Sequence, residues 1–381
     1  MTRISSLFSA AIMLFLIAAV SASPAQPADD RDLATESGRR LFERETFGGN
    51  GRTCRTCHSE ETGTVSPEDA RRRFRQDRHD PLFVHDGSDD GQGHGVKRML
   101  KDATILVPVP LAANVKLADD PHATSVVVPR GIPTTLNTPA LDPVFMLDGR
   151  QLTLQSQAMG AIRDHAQATT FPTGAELDRI SNFERSNEFL SDPSLRHFAH
   201  GGKAPGLPPG NTASEKRGRR FFEDFVDFVD PKHGACAGCH AGPMLNETNL
   251  FGELAFGVPK GTRFQTILVS ELNTAGNPVR EYIFNEGGQN ERHVFSPDLG
   301  RSAITGVTDV DDVTFSNFNA FKIPQLRGVR STAPYFHDNS AKTLEDVLAH
   351  YKTFFEIATN GALILTPRDQ KDIVAFLKLL D

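Results

Sequence analysis

The four cysteines of this 381-residue chain all belong to two copies of one short pattern, Cys-x-x-Cys-His. One copy occupies residues 54–58 and the other occupies residues 236–240. No cysteine lies outside these two copies, so the fold must contain two sites, far apart in the sequence, that have the same three side chains.

Several uses of paired cysteines can be compared with this pattern. Disulfides are usual in exported proteins, but a disulfide framework does not need a histidine after each second cysteine. A zinc ribbon places its two cysteine pairs much closer together, and a thioredoxin site lies in a βαβ unit. Two thiols three positions apart can instead bind the two vinyl groups of a haem, while the adjacent imidazole ligates its iron. The pattern therefore predicts two covalently bound haem c groups, attached at Cys54, Cys57, Cys236 and Cys239 and ligated by His58 and His240.

The N-terminus predicts export. A short basic start is followed by an apolar run over residues 7–20 and by small residues at Ala22 and Ser23. This is typical of a signal peptide over residues 1–22, although an uncleaved membrane anchor is the alternative. No later apolar run is long enough to span a membrane, so we expect a periplasmic mature protein. The formal net charge is −7, and no basic tract suits nucleic acid.

The regions around the two patterns resemble each other. Residues 38–58 and 218–240 both begin with Gly-Arg-Arg and end at a Cys-x-x-Cys-His pattern. A C-terminal helix is predicted at residues 366–381, where Thr366 is the N-cap, and residues 172–183 are its weaker counterpart in the first half.

A Gly- and Pro-rich stretch separates the two regions. We expect a mainly α fold of two c-type cytochrome domains related by internal duplication. The predicted boundaries are 30–199 for the N-terminal haem domain, 200–213 for the linker and 214–381 for the C-terminal haem domain.

Two longer segments carry a family resemblance. Residues 321–351, which include "TAPYFHDNS", and residues 130–162, which include "LDGRQ", resemble segments of the bacterial diheme cytochrome c peroxidases, which include the MauG-type enzymes. The resemblance implies that the N-terminal haem reacts with hydrogen peroxide. It also implies that the C-terminal haem receives electrons from a small cytochrome or blue copper protein, and that a calcium ion lies between the domains.

The resemblance also indicates the second ligand of the C-terminal haem. The family places this ligand fourteen residues after the histidine that corresponds to His337, which is Tyr351 here. The family's electron-transfer peroxidases have Met at this position, and its MauG-type enzymes have Tyr. An anionic phenolate would lower the haem potential. Tyr351 could instead simply pack in an amphipathic helix, and Met244 is the alternative sulfur ligand.

The N-terminal haem pocket departs from the family pattern. Gln157 matches the family's pocket glutamine, but Gln167 stands where the family has its catalytic glutamate. His165 could move protons in place of that glutamate, could ligate the iron, or could have no role. Further candidates for a distal ligand are His79, His85, His94 and His122.

Two further positions differ from the family. Leu147 replaces the tryptophan between the haems, so electrons would pass by Phe145, Tyr335 or the haem edges. Gly131 replaces a calcium-binding asparagine.

Calcium is still possible without that asparagine, because the family resemblance assigns two of its ligands to the backbone carbonyls of Thr332 and Pro334. Residues 86–94 resemble a calcium loop but lack its final glutamate, which favours a simple acidic turn.

The leading functional hypothesis is a diheme peroxidase that reduces hydrogen peroxide with electrons from a small redox protein, with His165 and Gln157 as catalytic residues. One alternative is MauG-type oxidation of another substrate through a His/Tyr-ligated haem. The other is an electron carrier whose two irons have no free coordination position. A homodimer is left open.

Overall fold

A computed structural model describes residues 28–225, 227, 229–274, 276–285, 291–309 and 316–380. The predicted signal peptide lies outside these residues. Among the residues that are described, no helix has the length and apolar character needed to cross a membrane.

The structure is mainly helical with short strands. In the first half the elements are α1 (Ala28–Arg44), α2 (Cys54–Cys57), α3 (Pro67–Gln76), α4 (Lys97–Asp102), β1 (Thr104–Pro110), β2 (Val115–Leu117), β3 (Ser125–Gly131), α5 (Thr138–Leu141), α6 (Leu154–Asp164), α7 (Gly174–Glu184) and α8 (Pro193–Ala199). In the second half they are α9 (Ala213–Arg220), α10 (Leu250–Phe256), β4 (Phe264–Gln265), α11 (Val269–Leu272), β5 (Arg280–Asn285), β6 (Glu291–Ser296), α12 (Ser302–Thr305), β7 (Phe321–Lys322), α13 (Leu344–Ala358) and α14 (Pro367–Leu377).

Helix α7 of the first half and helix α14 of the second half begin in the same way. Thr366 caps α14 by accepting a hydrogen bond from the Asp369 amide at 3.2 Å, which confirms the predicted N-cap. Thr173 caps α7 by accepting one from the Glu176 amide at 3.3 Å. In each case the carboxylate accepts a hydrogen bond from the backbone amide of the threonine, which completes a capping box.

Helices α1 and α7 of the first half cross at a glycine, and so do helices α9 and α14 of the second half. A Cβ atom built on Gly38 of α1 would lie 2.9 Å from the Cβ of Phe183 on α7. A Cβ atom built on Gly218 of α9 would lie 2.9 Å from the Cβ of Phe376 on α14. Both distances are shorter than real Cβ contacts, so only glycine lets each pair of backbones approach this closely.

The two halves also share a core. Strand β2 of the first half pairs antiparallel with β5 of the second half, which in turn pairs with β6. Buried side chains from both halves, such as Val115, Tyr282 and Phe284, therefore form one hydrophobic cluster. β1 and β3 form a separate two-stranded sheet, as do β4 and β7.

Buried charges join the halves in the same region. The Arg130 guanidinium donates to both carboxylate oxygens of Asp298, at 2.7 and 2.8 Å, and to Asp148 at 2.6 Å. All three side chains are almost fully buried. Because each charge has an oppositely charged partner, the cluster holds the two halves in one relative position.

The stretch predicted as a linker contains neither helix nor strand between residues 201 and 212. Its path is nevertheless defined, because the buried Arg327 side chain donates to the carbonyls of Pro205 at 2.9 Å and Gly206 at 3.3 Å. The same guanidinium donates to Pro243 O at 2.9 Å, so it ties the linker to the loop that follows the second Cys-x-x-Cys-His pattern.

Candidate haem-binding sites

The first Cys-x-x-Cys-His pattern forms the short helix α2 and the residue that follows it. Both cysteines are free thiols, and burial raises the pKa of each. The Nδ1 atom of His58 lies 2.8 Å from the carbonyl oxygen of Gly63. Burial lowers the pKa of His58 to about 4 despite that hydrogen bond, so its imidazole is neutral at neutral pH.

The second pattern has matching geometry. Cys236 and Cys239 are free thiols whose pKa values are raised by burial, to about 11 for Cys239. The Nδ1 atom of His240 lies 2.8 Å from the carbonyl oxygen of Leu245, which is again five residues further along the chain. Burial lowers the pKa of His240 to about 4.

These two histidines are arranged as metal ligands. A carbonyl can only accept, so the proton of each neutral ring lies on Nδ1 and Nε2 keeps its lone pair. Such a hydrogen bond also fixes the orientation of the ring and increases the basicity of the ligating nitrogen. A free thiol pair beside an imidazole with an available Nε2 fits the attachment and ligation of haem at both positions.

Tyr351 of α13 lies in the second site. Its hydroxyl oxygen is 3.4 Å from Nε2 of His240, the atom that would bind iron. The two side chains therefore lie close together, and His240 and Tyr351 would both be available to hold a haem iron at this site. Burial raises the pKa of Tyr351, which keeps the phenol neutral until a cation binds it.

Met244 is placed differently. It is buried in a small cluster with Leu190 and Leu195. The structure thus brings Tyr351, rather than this methionine, to the candidate iron-binding nitrogen.

His165 belongs to a partly buried polar cluster at the first site. Its Nδ1 atom lies 2.5 Å from Oδ2 of Asp86, and the other oxygen of this carboxylate accepts from Arg52. Burial opposes ionisation of Asp86, but the hydrogen bond with His165 and the charge of Arg52 outweigh it and hold its pKa below the ordinary value. The charge on His165 contributes to the lowered pKa of His58, which places the cluster near the first site.

Asp86 and Arg52 were not predicted as site residues. Arg52 is 2% exposed and also donates to the carbonyls of Pro81, Leu82 and Val84, which orders the loop around Asp86. The loop over residues 86–94 is an acidic turn in which Asp90 accepts from the amides of Gln92 and His94. The position of Arg52, just before Cys54, was the available sequence signal, but its partners are about thirty residues away.

The other predicted residues of the first site differ in position. His79, His94 and His122 are exposed, whereas His85 is partly buried and its Nε2 lies 3.2 Å from the Asp164 carbonyl. Gln157 is partly buried on α6, in the turn next to the buried Ala158. Gln167 has a positive φ of 51°, and its Oε1 accepts from Asn50 at 3.2 Å. Of the five candidate histidines, the structure therefore brings His165 and His85 to this side of the molecule.

The region of the absent tryptophan contains other aromatic rings. The Leu147 carbonyl accepts from the Lys322 amide at 2.7 Å, which places Leu147 beside Phe321. The Phe321 ring stacks on His337 with centroids 3.7 Å apart. Phe145 is buried, and the Tyr335 hydroxyl donates to Val329 O at 2.9 Å.

Gly131, the position of the family's calcium-binding asparagine, contacts the segment that follows Thr332 and Pro334, since its amide donates to the His337 carbonyl at 2.7 Å. Pro334 follows a cis peptide bond, and Thr332 lies two residues before it. A Cβ atom built on Gly131 would lie 2.6 Å from Cγ of Asn339, so the amide of Asn339 fills the space that a side chain at position 131 would take. Within the described ranges, no three His, Cys, Asp or Glu side chains cluster as a metal site, although backbone carbonyls lie outside that observation.

Comparison with known proteins identifies relatives of this chain. It is 37% identical over 268 residues to a cytochrome c551 peroxidase of Nitrosomonas europaea, a match that covers 66% of this chain and 65% of the relative, just under two thirds. It is 39% identical over 66 residues to the methylamine utilization protein MauG of Methylorubrum extorquens, covering 16% of this chain and 19% of that protein. No family model matches the chain.

One solved structure, a MauG-like protein associated with microbial copper homeostasis, aligns over 94% of this chain and 91% of its own length, with 20% sequence identity and a TM-score of 0.49.

The two Cys-x-x-Cys-His sites, together with the similarity to a cytochrome c551 peroxidase and to MauG, indicate a haem protein. The chain is similar to the diheme cytochrome c peroxidases and MauG proteins, which confirms the predicted resemblance. The similarity to these relatives implies haem as the cofactor.

Proposed function

We propose that this chain is a periplasmic diheme c-type peroxidase that reduces hydrogen peroxide with electrons from a small redox protein. The observation that carries the proposal is the pair of matched sites. In each site two free cysteines precede a histidine, and Nδ1 of that histidine is hydrogen-bonded to the backbone carbonyl of the residue five positions later. When bound, the haems supply redox-active iron, and the chain supplies attachment, ligation and proton transfer. Cys54, Cys57, Cys236 and Cys239 would attach the haems.

His165 is the residue best placed to move protons at the first site. Because Asp86 accepts the Nδ1 proton, Nε2 of His165 is the atom that can take up and release a proton. Asp86 also keeps the ring in one orientation, and Arg52 keeps the carboxylate ionised. Gln157 cannot transfer protons as a carboxylate does, so its role is to hydrogen-bond the bound peroxide.

The equivalent helix crossings at Gly38 and Gly218 support a duplicated origin of the two haem domains. The domains would occupy residues 30–199 and 214–381, with 200–213 between them. Export by a signal peptide at residues 1–22 is part of the same proposal. Calcium held by the carbonyls of Thr332 and Pro334, and assembly as a homodimer, remain untested predictions.

A single preparation tests the leading proposal. The purified protein should show haem absorption and exceed the mass of the mature polypeptide by two haems. When reduced by a small cytochrome or blue copper protein, it should consume peroxide. The His165→Gln variant should consume peroxide about 10² to 10⁴ times more slowly while keeping both haems. A protein with two haems that consumes no peroxide and binds neither cyanide nor carbon monoxide would be an electron carrier instead.

A second candidate function is supported by Tyr351. Its hydroxyl faces Nε2 of His240, so MauG-type oxidation of another substrate through a His/Tyr-ligated haem is the alternative. Ligation by a phenolate favours the oxidised iron and lowers the potential.

The ligation itself can be tested by substitution. Tyr351→Met should introduce a sulfur–iron charge-transfer band and raise the potential of one haem, while Tyr351→Phe should open that haem to cyanide. If both variants keep the wild-type spectra, Tyr351 packs beside the site without binding iron.

A further inference from the structure

Glu184 is a buried carboxylic acid that the proposed chemistry does not use. Glu184 is the last residue of α7 and is 4% exposed. Its Oε2 atom is buried and has no hydrogen-bond partner among the described residues. A buried carboxyl without a partner costs stability, so such groups are commonly functional.

The surroundings of Glu184 place it at the first haem site. Its charge raises the pKa of Cys54, the first attachment cysteine. Cys54 packs against the cluster that contains Phe183, the residue before Glu184, together with Leu41 and Phe42 of α1. The carboxyl is therefore close enough to the Cys54 thiol for its charge to act on the position where the haem would be attached.

The second half provides an internal comparison. Phe183 and Phe376 occupy the same position at the two helix crossings, so Glu184 corresponds to Leu377. Leu377 is buried in the hydrophobic cluster against which Cys236 packs. The same place beside a haem-attachment cysteine thus holds a carboxyl in the first half and a hydrocarbon in the second.

Burial raises the pKa of Glu184 to about 8, and Arg185 lowers it only in part. The Arg185 guanidinium is turned to the Ser181 hydroxyl. Three cations of neighbouring helices are paired elsewhere: Arg39 of α1 with Glu36 and Glu188, Arg55 of α2 with Glu43, and Arg163 of α6 with Asp164. Among the described residues, Arg185 is the cation that acts on the Glu184 carboxylate, so the proton equilibrium of this group would also respond to a charge in the haem site.

We propose that Glu184 is a proton-binding site coupled to reduction of the first haem, an inference that rests on the proposed haem at Cys54, Cys57 and His58. One electron from the donor protein lowers the charge of the iron, and one proton from solvent binds the Glu184 carboxylate. Reoxidation removes the electron and releases the proton. The coupling follows because the ferric charge favours the carboxylate and the ferrous state favours the neutral acid.

Potentiometric titration followed by haem absorption tests this inference. In the wild-type protein, one of the two midpoint potentials should fall with rising pH around pH 8, near the raised pKa of Glu184. The limiting slope is about 59 mV per pH unit for one proton per electron. The Glu184→Gln and Glu184→Leu variants should lose this slope while keeping the other haem unchanged. Leu377→Gln, the matched control, should leave the slope intact.

A second readout requires no variant. The redox-induced infrared difference spectrum of the wild-type protein should show a carboxylic acid band that appears on reduction and shifts in D₂O. A flat potential, a slope that persists in Glu184→Gln, or absence of that band would each overturn the inference and leave the peroxidase proposal standing. A chain without haem at the first site would instead overturn the proposed function.

Discussion

Replacing Gly218 by alanine would place a methyl group inside the crossing of α9 and α14. The new Cβ would lie 2.6 Å from the carbonyl carbon of Asp372 and 2.9 Å from the Cβ of Phe376, whereas ordinary contacts begin at 3.4 Å. One neighbouring atom is a backbone atom and the other is a Cβ, and neither moves when a side chain changes rotamer. The overlap can therefore be relieved only if the helices separate. The same argument applies to Gly38 of the first half.

Overpacking of this kind costs about 1–3 kcal/mol. The matched control is Gly160→Ala, because Gly160 also lies inside a helix but its built Cβ has its nearest neighbour, a Gln151 side-chain atom, at 3.7 Å. That change should stabilise the protein by about 0.5–1 kcal/mol through helix propensity. The same glycine-to-alanine substitution should therefore lower the free energy of unfolding at Gly218 and raise it at Gly160.

Denaturant unfolding of the haem-loaded protein, followed by circular dichroism, measures both effects. Gly38→Ala and Gly218→Ala should unfold at lower denaturant concentration than the wild type, and Gly160→Ala at equal or higher concentration. Should Gly218→Ala match the wild type, the helix crossing would not be as close as described, and the argument would be refuted.

Three further perturbations follow from buried contacts. Asp86→Asn leaves the buried Arg52 charge unpaired and should lower the free energy of unfolding by about 3–5 kcal/mol near neutral pH. Because folding lowers the pKa of Asp86, the stability difference between the wild type and this variant should shrink as pH falls below about 4. Gly131→Ala would push its Cβ into the Asn339 amide and cost about 1–3 kcal/mol, and the same change made in an Asn339→Gly background should cost less, because the overlap is gone. Arg327→Met removes donors to three backbone carbonyls, so we expect a loss of about 1–3 kcal/mol and faster proteolysis between residues 202 and 210; unchanged proteolysis would contradict the role given to this side chain.

The features that could be predicted from the sequence are local in the chain. A haem-attachment pattern needs three side chains within five residues, and a helix N-cap needs Thr366 and Asp369 within four. Both signals depend on backbone geometry over a single turn, so they can be recognised without knowing what packs around them. The predominantly helical fold and the family resemblance rest on the same kind of short-range pattern.

The remaining features depend on contacts between distant residues. Asp86 meets His165, and Tyr351 meets His240, only after the chain has folded, because the pairs are 79 and 111 positions apart. The burial of Glu184 arises from the crossing of α7 with α1, since its counterpart Leu377 shows that the helix pattern tolerates either residue. Sequence periodicity indicates which face of a helix is buried. Only tertiary packing decides which polar group on that face has neither water nor a hydrogen-bond partner, and this isolation is what shifts the pKa of the group.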